Sequence, residues 1–76
     1  MNNAIEWVPV VGSSWIAAEA YSPQEEAIYV RFHNGGGWRY TACPQNVWDE
    51  FTAEGQSRGK YFHQVLKFKP GGALVE

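Results

Sequence analysis

The segment from Gly55 to Tyr61, with the sequence GQSRGKY, combines glycines, a hydroxyl and two cations within seven residues. A nucleotide-binding P-loop needs four residues between its first glycine and the Gly-Lys pair, and then Ser or Thr. Here three residues separate Gly55 from Gly59, and Tyr61 follows Lys60, so the sequence excludes a P-loop. Two interpretations remain: a loop that contacts an anion through backbone amides, Arg58 and Lys60, or a hinge between two helices.

The chain also places two arginines within a predicted hairpin. Residues 27–33 and 38–43 alternate apolar and polar side chains, and the sequence NGGG at 34–37 is typical of a tight turn. Successive side chains of a strand point to opposite faces, so one face of this hairpin gathers the polar groups. The residues on that face are Tyr29, Arg31, His33, Arg39 and Thr41.

The length of the turn fixes which residues meet across the hairpin. A three-residue loop at 35–37 sets Phe32 opposite Tyr40 and keeps the apolar side chains together. A four-residue loop moves Arg39 among buried aliphatic side chains, where a guanidinium has no evident partner. We therefore predict the odd loop, which leaves both arginines on one face.

These groups suit a ligand that combines phosphate with a flat ring. Guanidinium groups hold phosphate in two-pronged contacts, and exposed aromatic rings stack against a base. We predict that the ligand is bound by Tyr29, Arg31, His33, Trp38, Arg39, Ser57, Arg58 and Lys60. The alternative is that these cations form ion pairs on a solvated surface, where such pairs contribute little. The carboxylates available for that are Glu19, Glu25, Glu26 and Glu54.

Further patterns surround the hairpin. Residues 7–21 are typical of an extended lead-in and a first strand, with Pro at an edge. Pro44 suits the first position of a helix, and Gly55 suits its C-terminal cap. Ser57 suits the N-cap of a second helix over residues 60–68. The sequence thus predicts an α+β fold, with an antiparallel sheet of about three to four strands followed by two helices packed on one face.

The length and the aromatic content predict one domain over residues 1–76, with frayed tails at 1–6 and 69–76. Four Trp, four Tyr and four Phe supply enough apolar area for a core in so short a chain. Core packing is one interpretation of each tryptophan. The other is that one or two of them line a ligand or partner surface.

The charge and the single cysteine exclude several classes of protein. A net charge of −2 argues against a protein that coats long nucleic acid through positive charge, although a local cationic pocket remains compatible with it. Cys43 is alone, which excludes an intramolecular disulfide scaffold. The chain lacks a signal-peptide pattern and the ~20 apolar residues of a membrane span. We expect a cytoplasmic protein without a membrane partner.

Residues suited to catalysis or metal binding form no recognisable pattern. The available nucleophiles and bases are Ser13, Ser14, Cys43, His33 and His63. No spacing joins a nucleophile to a base and a third orienting group, and none matches the paired spacings of zinc sites. Asp49 and Glu50 are adjacent on a helix and therefore point apart. We predict no enzymatic activity, no cofactor and no metal.

An ordered set of motifs resembles one known family. The motifs VGSSWIAAEAY, IYVRFHNGG, WRYTACP and SRGKYFHQVL, within residues 7–66, resemble the KTSC domain. This module occurs at the C-terminus of some lysyl-tRNA synthetases and as stand-alone bacterial or phage proteins. The shared pattern includes the paired Ser13 and Ser14 and the Ser-x-Gly-x-Tyr-Phe segment from Ser57, while Trp38 replaces the first Tyr of a central Tyr-x-Tyr. The resemblance implies the fold described above, and the synthetase context implies RNA binding.

Two classes of function follow from these patterns. The first is a non-enzymatic binding module for a phosphate-bearing ligand, which is a nucleotide, a signalling nucleotide or a short single strand of RNA. The acidic net charge favours the compact ligand. The second is a protein-interaction or inhibitor module that uses surplus tryptophans as anchors, as a homo-oligomer or with another protein.

The predicted absence of a structural metal has a direct test. Adding EDTA should leave the melting temperature (Tm) unchanged in differential scanning fluorimetry, because a structural zinc ion contributes directly to folding. Cys43→Ser should likewise leave ligand or partner binding within a few-fold. A fall in Tm on chelation would instead identify the histidines as metal ligands.

Overall fold

The strands of one antiparallel sheet lie side by side in the order in which they occur in the chain. A computed structural model describes residues 5–74. The strands are β1 (Val8–Pro9), β2 (Ile16–Ser22), β3 (Ala27–Phe32), β4 (Gly37–Tyr40) and β5 (Gly71–Ala73). Between β4 and β5 lie α1 (Gln45–Phe51), α2 (Arg58–Gln64) and a short 3-10 helix (Leu66–Phe68). The predicted α+β fold is confirmed, with five strands among the described residues instead of three to four.

The two extra strands come from segments that the sequence predicts to be irregular. The lead-in folds back so that Pro9 of β1 pairs with Ala18 of β2. Residues 71–73, part of the predicted frayed tail 69–76, form β5 along β4, so that prediction is wrong for them. Of the other predicted tail, 1–6, residues 1–4 lie outside the described residues, as do 75–76, and residues 5–6 are in neither a helix nor a strand.

The hairpin has an odd loop, as predicted, but its position differs. The loop comprises residues 33–35 instead of 35–37, so Tyr40 lies opposite Ile28 and the predicted pairing of Phe32 with Tyr40 is wrong. The reason is the turn itself: Gly35 has a φ of 97°, and three-residue loops place a left-handed residue at that point. Because both loops are odd, the faces are unchanged, and Arg31 and Arg39 do share one face.

The helices cover one face of the sheet, here called the helix face, which carries Ile28, Val30 and Tyr40. The buried core is formed by Ile16, Ile28, Val30, Tyr40, Cys43, Val47, Phe51, Tyr61 and Leu66. Burial raises the pKa of Tyr40 to about 12, because the charged phenolate loses its hydration. The opposite face, here called the outer face, carries Tyr29, Arg31 and Arg39. No helix among residues 5–74 is long and apolar enough to cross a membrane.

The helix ends differ slightly from their predicted places. Pro44 is the N-cap of α1 instead of its first helical residue, since its ψ of 169° is extended. The helix ends at Phe51, so Gly55 lies in the following turn and does not cap it. The prediction for Ser57 is confirmed: it is the N-cap of α2, and its Oγ accepts the Lys60 N–H at 3.3 Å.

The pairing of β5 with β4 depends on a glycine. A Cβ at Gly71 would lie 1.8 Å from the carbonyl oxygen of Arg39, whereas a Cβ at Gly72 would meet nothing within 4 Å. Gly71→Ala should therefore force the strands apart and lower the free energy of unfolding by about 1–3 kcal/mol, the usual cost of overpacking. Urea denaturation followed by tryptophan fluorescence measures this change.

Gly72→Ala is the matched control for that variant. It makes the same chemical change one residue away, and it should be neutral or slightly stabilising because it only reduces the freedom of the unfolded chain. Equal stability of the two variants would show that β5 does not pair with β4 in this register.

Candidate functional site

The predicted site residues lie on two opposite sides of the sheet. Tyr29 and Arg39 are directly paired on the outer face. Arg58 instead binds Glu19, which lies opposite Val30 on the helix face. The prediction that the SRGK loop works together with the hairpin arginines is therefore wrong. The physical reason is the alternation of a strand, which sends neighbouring residues such as Tyr29 and Val30 to different faces.

The cations of the outer face are engaged by their neighbours. Arg39 Nε lies 3.3 Å from Glu25 Oε1, and the Tyr29 hydroxyl donates to the same oxygen. Hydrogen bonds from Tyr29 and Arg39 hold the pKa of the Glu25 carboxyl below its ordinary value. The Arg31 guanidinium lies 4.8 Å from the centroid of the Trp7 ring, in a cation–π contact. Arg39 thus forms an ion pair of the kind that the alternative interpretation predicts.

Arg58 forms a buried, two-pronged ion pair with Glu19. Arg58 Nε donates to Glu19 Oε1 at 3.0 Å, and Nη2 donates to Oε2 at 2.6 Å. The Glu19 residue is only 2% exposed, and the guanidinium also packs 5.5 Å from the centroid of the Phe51 ring. The hydrogen bonds to Glu19 raise the pKa of Arg58, so it stays charged. The pair anchors the start of α2 to β2.

The SRGK loop faces a second loop across an open cleft. The cleft has a volume of about 420 Å³ and lies between segments 11–15 and 56–59. We call it the donor cleft, and its defining residues are Ser13, Ser14, Trp15, Ser57 and Arg58. No carboxylate lines it among the residues that the structure describes. The cleft thus brings together two motifs from distant parts of the chain.

The hydroxyls of the donor cleft have protons to donate. Ser13 Oγ accepts the backbone N–H of Ile16 at 3.0 Å, and Ser57 Oγ accepts that of Lys60. Because the amides occupy acceptor lone pairs, each hydroxyl proton is free for another acceptor. Ser14 is exposed, and within residues 5–74 its hydroxyl has no partner. The lining therefore offers several hydrogen-bond donors to an acceptor-rich ligand.

Two nitrogen donors complete the cleft. The Trp15 indole lies against Gly59, where a Cβ would be 3.6 Å from Nε1, and in the described part of the chain Nε1 has no acceptor. The ion pair with Glu19 uses two of the five N–H groups of Arg58, which leaves the others available. Since Glu19 neutralises Arg58, the lining of the cleft combines several hydrogen-bond donors with little net positive charge.

The remaining predicted residues lie at different places. The His33 Nε2–H donates to the Ser13 carbonyl oxygen at 3.1 Å, which puts His33 beside the donor cleft and away from Arg39. Trp38 is 37% exposed on the helix face, where it lines a groove with Lys67 and Lys69. The side chain of Lys60 is exposed and forms no ion pair within residues 5–74.

Cys43 is placed as a small core residue. It is fully buried, and its Sγ donates to the Thr41 carbonyl oxygen at 3.3 Å. Burial raises the pKa of the thiol, which disfavours the reactive thiolate. Within residues 5–74 no group of three His, Cys, Asp or Glu side chains is placed to hold a metal ion.

The sequence-based site prediction omitted several residues of these surfaces. Ser13 and Ser14 were part of the family pattern, and their place in that pattern was the signal that could have identified them. Lys67 and Lys69 lie at the end of the second predicted helix and in the predicted tail. Only the return of the chain along β4 brings them to Trp38.

Comparison with known proteins identifies the family. Residues 12–69 match the family model of the KTSC domain, so the chain belongs to the KTSC domain family. A protein from Stutzerimonas stutzeri is 34% identical over 55 residues, covering 72% of this chain and 76% of its own. One from Tsukamurella paurometabola is 33% identical over 57 residues, covering 75% and 84%. The crystal structure of a KTSC domain protein from Yersinia pestis superposes with a TM-score of 0.84 at 25% identity, covering 95% of this chain and all of that one.

The two arginine–glutamate pairs differ in burial, so the loss of the arginine should lower the free energy of unfolding by different amounts. Arg58→Gln leaves the Glu19 carboxylate buried without its partner, and it should lower the free energy of unfolding by about 3 kcal/mol. Arg39→Gln removes an exposed pair with Glu25 and should cost less than about 1 kcal/mol. Urea denaturation of the two variants, which make the same substitution, measures the difference.

A double variant tests whether the Arg58 effect comes from the pair. The double variant Glu19→Gln/Arg58→Gln should lose less stability than the two single variants lose together, because it leaves no charge buried without a partner. Strict additivity, or equal costs for Arg58→Gln and Arg39→Gln, would contradict the buried ion pair.

Proposed function

We propose that this KTSC domain is a non-enzymatic binding module for a phosphate-bearing ligand, a nucleotide or a short single strand of RNA, and that the donor cleft takes the phosphate. The observation that carries the proposal is the convergence of unused donors on one cleft. Three hydroxyls, an indole N–H and the free N–H groups of Arg58 line a space without carboxylates among the described residues. Phosphate oxygens are acceptors only, so this lining is complementary to phosphate.

The shape of the cleft also suits a nucleotide. It is open to solvent along one side, and the Trp15 ring forms its wall next to a second groove lined by Phe32 and His33. A phosphate held by Ser14 and Ser57 leaves a base free to lie against these rings, since base–aromatic stacking accepts any base. A cytoplasmic location, expected from the sequence, would expose the domain to such ligands.

A protein-binding role is the second candidate, because large apolar side chains are exposed. Phe68 is 73% exposed and Trp38 is 37% exposed. A salt titration separates the two candidates. Binding in which cations of the protein contact phosphates weakens as salt rises, whereas association led by aromatic contacts changes much less. Measuring the size of the protein alone at high concentration over the same range of salt reports whether it forms homo-oligomers.

The donor cleft is tested by removing one hydroxyl. Ser14→Ala should raise the dissociation constant for uridine monophosphate and for inorganic phosphate by about 10- to 150-fold, because a hydrogen bond to a charged group contributes about 1.5–3 kcal/mol. Isothermal titration calorimetry measures both ligands. Stability should not change, since the Ser14 hydroxyl has no partner within residues 5–74.

Ser22→Ala is the matched control for Ser14→Ala. Ser22 ends β2, whereas Ser14 precedes it, so the two hydroxyls lie at opposite ends of one strand. The control should bind both ligands like the parent. Unchanged binding by Ser14→Ala, or no binding of either ligand by the parent protein, would refute the assignment of phosphate to the cleft.

A further inference from the structure

A row of partly exposed aromatic rings crosses the helix face beside the donor cleft. We call it the aromatic row, and its members are Trp15, Phe32, Phe62 and Trp38. Trp15 stacks on Phe32 with centroids 5.8 Å apart, and Phe62 meets Trp15 edge-on at 5.0 Å. Tyr40 continues the contacts, 5.7 Å from Phe62 and 6.4 Å from Trp38. These rings therefore form one chain of contacts, in which Trp38 joins the others through the buried Tyr40.

The exposure of the row follows from the uneven cover that the helices provide. Trp48 of α1 stacks on Tyr21, 5.5 Å away, and so covers the end of the sheet that is far from the hairpin turn. Nearer the turn, Phe62 of α2 packs against Trp15 and Tyr40. Phe32 stays half-buried there and Trp38 is exposed, although both are on the helix face.

Two grooves lie along the row, and one of them adjoins the donor cleft. A groove of about 440 Å³ contains Phe32 and His33, and it shares Ser14 and Trp15 with the donor cleft. A groove of about 480 Å³ lies beyond Phe62 and is lined by Trp38, Lys67 and Lys69. Trp15 lines the cleft and the first groove, and Phe62 lines the second groove and contacts Trp15, so the grooves lie on the two sides of this ring contact. We call the cleft, the two grooves and the rings between them the track.

The far end of the track carries positive charge that the described part of the protein does not neutralise. Neither Lys67 nor Lys69 forms an ion pair within residues 5–74, in contrast with Arg39 and Arg58. No carboxylate from this part of the chain lines either groove. The track therefore has three parts that suit a chain of nucleotides. Hydrogen-bond donors lie at one end, aromatic rings lie in the middle, and the two ammonium groups of Lys67 and Lys69 lie at the other end.

We propose that the ligand of this track is a single-stranded nucleic acid of about four nucleotides, which is the lower end of the site sizes of OB folds. This inference rests on the proposed function and specifies its ligand. One phosphate lies in the donor cleft, the bases stack along the aromatic row, and a later phosphate contacts Lys67 and Lys69. A mononucleotide fills the cleft but leaves the lysine groove unused. The two lysines favour a polyphosphate chain over an apolar protein partner, which needs no such charge.

Fluorescence anisotropy with labelled oligonucleotides tests the inference. The probes are an octamer of uridine and an octamer of deoxythymidine, with unlabelled uridine monophosphate as competitor. The uridine octamer should bind at least about 10-fold more tightly than the monophosphate, since additional bases stack and a further phosphate is bound. Tighter binding of the uridine octamer than of the deoxythymidine octamer identifies RNA as the ligand, and the reverse identifies DNA.

The variants separate the far end of the track from the cleft. Lys67→Gln/Lys69→Gln should weaken octamer binding several-fold. It should also reduce the slope of log affinity against log salt by about 0.7 for each phosphate that the lysines no longer neutralise. Trp38→Ala should also weaken octamer binding, and neither change should alter monophosphate binding. Ser14→Ala should weaken the binding of both ligands.

The matched control is Arg31→Gln/Arg39→Gln, which also removes two positive charges but takes them from the outer face. It should bind the octamer like the parent at moderate salt. Equal weakening by the two double variants would show diffuse charge attraction and overturn the track. Circular dichroism melting confirms that each variant is folded, and the lysine variant tests the idea even if Trp38→Ala does not fold.

The remaining outcomes distinguish the two proposals. If the monophosphate binds in a Ser14-dependent way but the octamer binds no better, the track is refuted and the donor cleft stands. If the octamer depends on Trp38 but not on Ser14, the cleft assignment is refuted. If neither ligand binds and Trp38→Ala abolishes self-association instead, the row is a protein interface and both proposals are wrong.

Discussion

The ion pair between Glu19 and Arg58 positions the part of the molecule in which we place the function. It joins the middle of β2 to the first residue of α2, and it is supported by the Phe51 ring. The buried Glu19 carboxylate keeps its charge there because two hydrogen bonds from the partly exposed Arg58 compensate for its lost hydration. The pair holds the SRGK segment against the loop that carries Ser13 and Ser14. It also neutralises Arg58, so the donor cleft presents directed hydrogen-bond donors with little net charge.

The small size of the chain explains why its aromatic residues have two roles. A domain of 76 residues has little interior, and Phe51 and Tyr61 fill it under the helices. The helices are short and cover the sheet unevenly, so the rings near the hairpin turn contact one another while one side stays in water. Trp15 and Trp38 are two of these rings with one side in water. The same packing that completes the core thus leaves an aromatic surface beside the cleft.

The distribution of cations reconciles the acidic net charge with the proposed binding of a phosphate-bearing ligand. Arg39 and Arg58 are neutralised by Glu25 and Glu19, whereas Lys67 and Lys69 are not paired within the described residues. Arginine suits the paired positions because its planar group matches a carboxylate, and lysine suits an open groove as a mobile point charge. A local site for a short anionic ligand is therefore compatible with a chain whose net charge is −2.

The sequence alone determined what depends on neighbouring residues. Alternation put Arg31 and Arg39 on one face, Ser57 capped α2, and ordered motifs identified the family and its fold. The predicted position of the turn was wrong, because a run of glycines permits a three-residue loop at more than one place. Only the tertiary structure decided which carboxylate each arginine binds, since Glu19 and Arg58 are 39 residues apart. It also decided that Gly71 returns along β4 and brings Lys69 to Trp38. Such contacts depend on the shapes and charges of distant segments, and no local period encodes them.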